Sequence, residues 1–211
     1  MTTEPGNPVP RPDSASRPAG KFPSALNLPN LITLSRLLLA IVLFALIDFG
    51  GHWVAATAVF LVAAATDFLD GMIARKYGLV TKVGRILDPF VDKVIIGGAF
   101  LFLAMHRDNG SGVNAWMVIT VIGREMFVTS LRSVLEQEGK DFSAVMSGKI
   151  KMTLQCAAVV GSLLFLAFGH GTANEVSFGY IRDGLLWAAV LVTVYSGYEY
   201  VIRAIHLFRA G

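Results

Sequence analysis

Charged residues are scarce in this chain. Asp, Glu, Lys and Arg make up 16% of its 211 residues, against about 25% in soluble domains. With 54% hydrophobic residues and a mean hydropathy of +0.60, it has too few polar side chains to coat an apolar core. That shortage excludes an ordinary cytosolic enzyme, a nucleic-acid-binding module and a disordered scaffold, and puts the chain in a membrane. Its one cysteine, Cys156, excludes an internal disulfide framework and a cysteine-based zinc site. The four histidines stand singly near the ends of apolar runs, without partners at ligand spacing. Residues 1–22 hold five of the eight prolines and no apolar run. They are expected to form a disordered, Pro-rich tail rather than a signal peptide, so the first span would direct its own insertion. Residues 23–211 are left as one domain.

Six apolar stretches are present, at 31–49, 53–73, 89–106, 114–135, 152–169 and 184–204. Each approaches the 20 or so residues a helix needs to cross a bilayer. The runs are continuous and rich in Ala, Leu and Val rather than alternating, which excludes a β-barrel. The expected fold is an all-α integral membrane protein of six transmembrane helices. Glycines 97, 98 and 161 would let helices approach closely. Of the 18 Lys and Arg residues, only Arg107 and Arg182 fall to the outer side on this reading. The positive-inside rule then puts both termini in the cytoplasm and makes the chain a multi-pass protein of the cell membrane.

Against this background, the charges inside the spans stand out, because ionisable groups there are costly and mark function. Asp67 and Asp70 end the second run, and Asp88 and Asp92 begin the third. Spacings of three and four put each pair on one helix face, and the short connection makes the two helices antiparallel neighbours. Four carboxylates can then converge at one membrane face. Left unpaired, they would repel one another until several protonated. Two divalent cations would cancel the charge, and an all-oxygen donor set without His or Cys favours Mg²⁺ or Mn²⁺ over zinc. Gly71, Ala74 and Gly84 remove bulk beside the carboxylates and leave a slot, and Arg75 offers a fixed positive charge at its edge, suited to a phosphate. A lone Asp–Arg pair at a helix end would be an interfacial salt bridge, and an ion carrier would more often place its aspartates at the midplane on broken helices.

The pattern D-x2-D-G-x2-A-R-x8-G-x3-D-x3-D is filled at every fixed position from Asp67 to Asp92. In this the chain resembles the CDP-alcohol phosphotransferase family, and the six-run layout extends the likeness over roughly residues 25–205. The resemblance implies transfer of a phospho-alcohol group from a CDP-linked donor to an acceptor alcohol with release of CMP. It implies that Asp67, Asp70, Asp88 and Asp92 hold two divalent ions, Mg²⁺ or Mn²⁺, and that Asp92 is also the general base. Asp67, Asp70, Gly71, Ala74, Arg75, Thr81, Gly84 and Asn30 would form the cytidine diphosphate site. The stretch from Leu28 to Arg36 (L-P-N-L-I-T-L-S-R) resembles the start of the family's first helix. A homodimer is also implied.

A second segment narrows the acceptor. Gly123-Arg124-Glu125, Thr129-Ser130-Leu131-Arg132 and Ser147-Gly148-Lys149-Ile150-Lys151-Met152-Thr153 resemble the corresponding blocks of the bacterial family members that act on sn-glycerol 3-phosphate. One departure is Met152, which sets Thr153 one place beyond the usual threonine. Arg124 lies deep in an apolar run and demands an anion or a polar cavity. Arg132, Lys149 and Lys151 bring more positive charge toward the same end, and one phosphate can satisfy several of these cations. The acceptor site implied is Arg124, Arg132, Ser147, Lys149, Lys151 and Thr33, with CDP-diacylglycerol as donor and membrane lipids as surroundings. Family members that use inositol phosphate or phosphatidylglycerol share the aspartate motif, so they stay open as alternatives. Outside the family, membrane prenyltransferases and an ion carrier stay open too.

Overall fold

In the computed structural model, the backbone is described for residues 28–77, 82–139 and 146–209, and the side chains for all of these except 28–30, 32, 67–77 and 82–86. Six long helices account for almost all of it: α1 (Leu28–Phe49), α2 (Trp53–Tyr77), α3 (Lys82–Met105), α4 (Ala115–Gln137), α5 (Met146–Leu164) and α6 (Glu175–Arg209). No strand occurs among the described residues. Each apolar stretch read from the sequence lies mostly within one helix. Among the described residues, two helices, 146–169 (α5 with its π-helical extension, Phe165–Gly169) and 175–209, are long and apolar enough to cross a membrane. α3 and α4 are interrupted by charge, Asp88, Asp92 and Lys93 in one and Arg124, Glu125 and Arg132 in the other.

Short connections send successive helices in opposite directions. Gly50 and Gly51 carry φ of +66° and +71°, a left-handed pair that only glycine adopts cheaply, and they fold α2 back along α1. Asn114 caps α4, its side chain accepting from the Met117 N–H at 3.0 Å. All six helices alternate in direction, so the starts of α1, α3 and α5 and the ends of α2, α4 and α6 lie at one end of the bundle. That end carries the acidic motif and the basic segment.

The most extensive packing is α5 on α6 and α1 on both α2 and α3. From sequence spacing, α2 and α3 are expected as direct neighbours. Among the described residues each packs most extensively on α1, and the facing ends of α2 and α3 lie outside the described side chains. The wedge fits because Gly98 on α3 has no side chain: a Cβ there would lie 2.2 Å from the Phe44 ring of α1, itself stacked on Phe102. One core runs through the bundle, with Leu43, Phe60, Phe100, Val121, Leu163 and Leu186 fully buried.

The outer surface is apolar, with Leu38, Ile41, Leu61, Ile119, Leu191 and Val194 all exposed, while Thr33, Arg36, Lys151, Gln155, Thr193 and Ser196 are buried. Inside, Gln155 donates to Thr193 across α5–α6 at 2.9 Å. So much exposed apolar surface around an apolar core is unlike a water-soluble protein.

Candidate active site

Asp88 and Asp92 lie one turn apart on α3 and face α1. Thr33 Oγ1 donates to Asp88 at 2.5 Å, and the buried Arg36 guanidinium pairs with Asp92. Arg36 is 2% exposed and Asp92 25%. The ion pair is therefore mostly dry on one side and reachable on the other. These two contacts orient both carboxylates from a second helix, which a carboxylate needs in order to act on a substrate with fixed geometry. Thr33, expected among the acceptor residues, lies on this aspartate seam through its contact with Asp88.

Asp67, Asp70, Gly71, Ala74 and Arg75 fall in the last turns of α2, and Gly84 and Asn30 in the first turns of α3 and α1; their side chains are outside the described residues, as is Thr81 altogether. Among the described residues no three acidic, histidine or cysteine side chains gather as a metal site. Asp88 and Asp92 fit one half of such a site, offering adjacent hard oxygen donors held in place by a hydroxyl and a guanidinium.

The basic segment forms an open groove of about 520 Å³. Lys93 reaches it from α3, Arg124, Glu125 and Arg132 from α4, and Lys149 and Lys151 from α5. α6 supplies the supports. Arg124 donates to Ser196 Oγ at 2.5 Å and lies 5.2 Å from the centre of the buried Tyr200 ring. Arg132 donates to the Tyr200 hydroxyl at 3.4 Å. Glu125 accepts from Arg124 at 3.0 Å and pairs with the buried Lys151. With Glu136 also in the wall, five cations face two carboxylates and leave three positive charges uncompensated. Arg124 Nε and Arg132 Nε are buried without a hydrogen-bond partner, as is Ser147 Oγ in the first turn of α5. A groove with surplus positive charge and donors unmet is chemically suited to a phosphate dianion.

The aspartate seam and the basic groove adjoin. A small cavity of about 90 Å³ between α3, α4 and α5 has Asp92 and Lys93 on one wall and Glu125 and Lys151 on another. Five contributors have no site role in the sequence reading: Arg36 and Glu125, which stand in the resembling blocks, and Lys93, Ser196 and Tyr200. For the three charged ones the signal was there, since each is an ionisable group in an apolar helix. Ser196 and Tyr200 carried no such mark.

Comparison with known proteins follows the same outline. A family model described as CDP-alcohol phosphatidyltransferase matches residues 26–195. The chain is 41% identical over 189 residues to the CDP-diacylglycerol–glycerol-3-phosphate 3-phosphatidyltransferase of Bacillus subtilis, covering 82% of this chain and 93% of that protein. It is 36% identical over 184 residues to a probable phosphatidylglycerophosphate synthase of Mycobacterium tuberculosis, covering 85% and 82%. A Rickettsia bellii protein with the same name as the Bacillus one is 32% identical over 176 residues, covering 82% and 93%.

Proposed function

The chain belongs to the CDP-alcohol phosphatidyltransferase family, and on that premise we propose that it transfers the phosphatidyl group of CDP-diacylglycerol to sn-glycerol 3-phosphate. The products are phosphatidylglycerophosphate and CMP. The observation that carries a phosphorylated acceptor is the groove of five cations opening beside Asp92. A neutral acceptor would have no use for it. The relatives named for this reaction support the same choice.

The reaction is a single displacement. The acceptor docks by its phosphate on Arg124, Arg132, Lys149 and Lys151, which leaves its 1-hydroxyl near Asp92. Asp92 takes the hydroxyl proton as the oxygen attacks the β-phosphorus of the donor. A new P–O bond forms, the pyrophosphate P–O bond breaks, and CMP leaves with the electron pair. Arg36 holds the Asp92 carboxylate in place for this step. Asp67, Asp70, Asp88 and Asp92 would hold two divalent ions, Mg²⁺ or Mn²⁺, whose positive charge would offset the negative charge of the diphosphate and of the departing CMP. Gly71, Ala74, Arg75, Thr81, Gly84 and Asn30 complete the nucleotide site.

The chain crosses the cell membrane six times, with both termini and the active site on the cytoplasmic side. The donor's acyl chains lie in the inner leaflet. Exposed Trp187, Leu191, Val194 and Tyr198 on α6 support association as a homodimer within the bilayer.

An acceptor panel tests the reading. Purified protein with CDP-diacylglycerol should release CMP with sn-glycerol 3-phosphate, lose turnover in EDTA and regain it with Mg²⁺ or Mn²⁺. CMP release with inositol phosphate or phosphatidylglycerol, but not glycerol 3-phosphate, would overturn the acceptor; pyrophosphate as product would overturn the class. Asp92→Asn should insert normally yet lose nearly all turnover, and near-normal activity there would remove Asp92 as the base.

A further inference from the structure

Lys93 lies directly after the last aspartate of the motif. Neighbouring residues leave a helix about 100° apart, so Asp92 and Lys93 face different partners. Asp92 points to Arg36 on α1; Lys93 crosses to α4, where Nζ donates to Thr129 Oγ1 at 2.6 Å. Thr129 in turn donates to the Glu125 carbonyl at 2.7 Å, so the hydroxyl that receives the lysine is itself anchored one turn back along α4. The partner is neutral. Lys93 is thus held in place without losing its charge, whereas the nearby Lys151 is matched by the Glu125 carboxylate.

Its position is also particular. Lys93 lines both the small cavity that contains Asp92 and the open groove that contains Arg124, Arg132 and Lys149. Of the groove's cations, only Lys93 comes from the helix that carries the base. An ammonium has three donors, and Thr129 takes one.

We infer that Lys93 determines acceptor specificity: its ammonium, braced by Thr129, binds the acceptor phosphate from the Asp92 side. It thereby fixes the distance between that phosphate and the Asp92 carboxylate. The other groove cations draw a dianion in; Lys93 relates it to the base, which selects acceptors carrying a phosphate a short chain away from the alcohol. Thr129 is a positioning residue acting through Lys93. The inference rests on the phosphorylated-acceptor reading above and adds a residue that the aspartate motif does not contain.

The test is steady-state kinetics and direct titration of glycerol 3-phosphate, with CDP-diacylglycerol as donor. Lys93→Met should raise KM for glycerol 3-phosphate about tenfold or more, the loss of one charge-assisted hydrogen bond. KM for CDP-diacylglycerol should stay within about twofold of its starting value, since the lysine points away from the aspartate seam. Lys93→Arg should recover much of the loss, and Thr129→Val, which keeps the charge and removes the brace, should raise the acceptor KM several-fold. Calorimetric titration should show the same order without turnover. If Lys93→Met fails to fold, Thr129→Val and Lys93→Arg decide. Unchanged acceptor KM and affinity, or KM for both substrates rising together, would overturn the role of Lys93 while leaving the acceptor intact. If the unaltered protein releases no CMP with glycerol 3-phosphate, both readings fall.

Discussion

Glu125 is a carboxylate in a groove otherwise suited to anions, and its neighbours explain why it is tolerated. Arg124 and Lys151 are 10% and 7% exposed, and between them Glu125, at 19%, accepts from both. Without it, two buried cations would face each other in a poorly solvated space. Removing one member of such a buried cluster typically costs about 3–5 kcal/mol, because the remaining charges lose their compensation. Glu125→Gln keeps the shape and removes the charge. The variant is therefore expected to melt well below the unaltered protein in anion-free detergent solution. On the proposed acceptor site, phosphate binds the folded state and not the unfolded one, so it should raise the melting temperature of the variant more than that of the unaltered protein. Equal phosphate effects on both would show that Glu125 does not balance the groove. Arg36 plays the converse part on the other side of Asp92, a buried cation that orients a carboxylate. The site thus consists of two opposed ion pairs, Arg36 on Asp92 and Glu125 on Arg124 and Lys151, with Lys93 between them.

At the scale of helices, α1 is the element that organises the aspartate half. It packs on α2 and on α3 and supplies Thr33 and Arg36 to the carboxylates. That depends on Gly98, because the Phe44 ring, stacked on Phe102 with centroids 5.1 Å apart, occupies the space where a side chain would go. Gly98→Ala should lower thermal stability by about 1–3 kcal/mol, the usual cost of overpacking. Gly184 on α6 has nothing within 4 Å of the added carbon, and Gly184→Ala should be neutral or stabilising by up to about 1 kcal/mol. Opposite signs in paired melting curves would support the wedge, and equal effects would remove it.

Helix ends were the harder part to read from sequence. Hydropathy placed the third span at 89–106, whereas α3 begins at Lys82; the fifth and sixth start six and nine residues earlier than their apolar stretches, at Met146 and Glu175. Hydropathy marks the part of a helix that matches the bilayer, and polar first turns that project beyond it leave no apolar signal. The aspartate spacing was legible because it is local. Thr33 on Asp88 and Ser196 on Arg124 join residues 55 and 72 apart, and no short-range pattern encodes such pairs.

Across the whole molecule, the two ends differ in what they do with charge. The motif end gathers the aspartates and the cationic groove. At the opposite end Arg182 is committed to structure: it donates to the Gly110 carbonyl and to Asp183 at 2.8 Å, and stacks 4.1 Å from the centre of the Phe165 ring. Discounting it leaves Arg107 as the exposed basic residue among the described connections there. A segment with so few free cations is the one a membrane-insertion machinery would translocate, and the cation-rich end is the one it would retain. Cysteines introduced at three exposed sites test this in a Cys156→Ser background. Asn109→Cys and Ala173→Cys lie in the α3–α4 and α5–α6 connections, and Glu138→Cys lies just past α4. In sealed right-side-out vesicles, a membrane-impermeant maleimide should label positions 109 and 173 at once, and position 138 only after permeabilisation. The reverse pattern would invert the orientation and move the active site away from the cytoplasm. Labels on 109 and 173 from opposite sides would break the count of six crossings, because two helices, α4 and α5, separate those connections and must return the chain to the side it left.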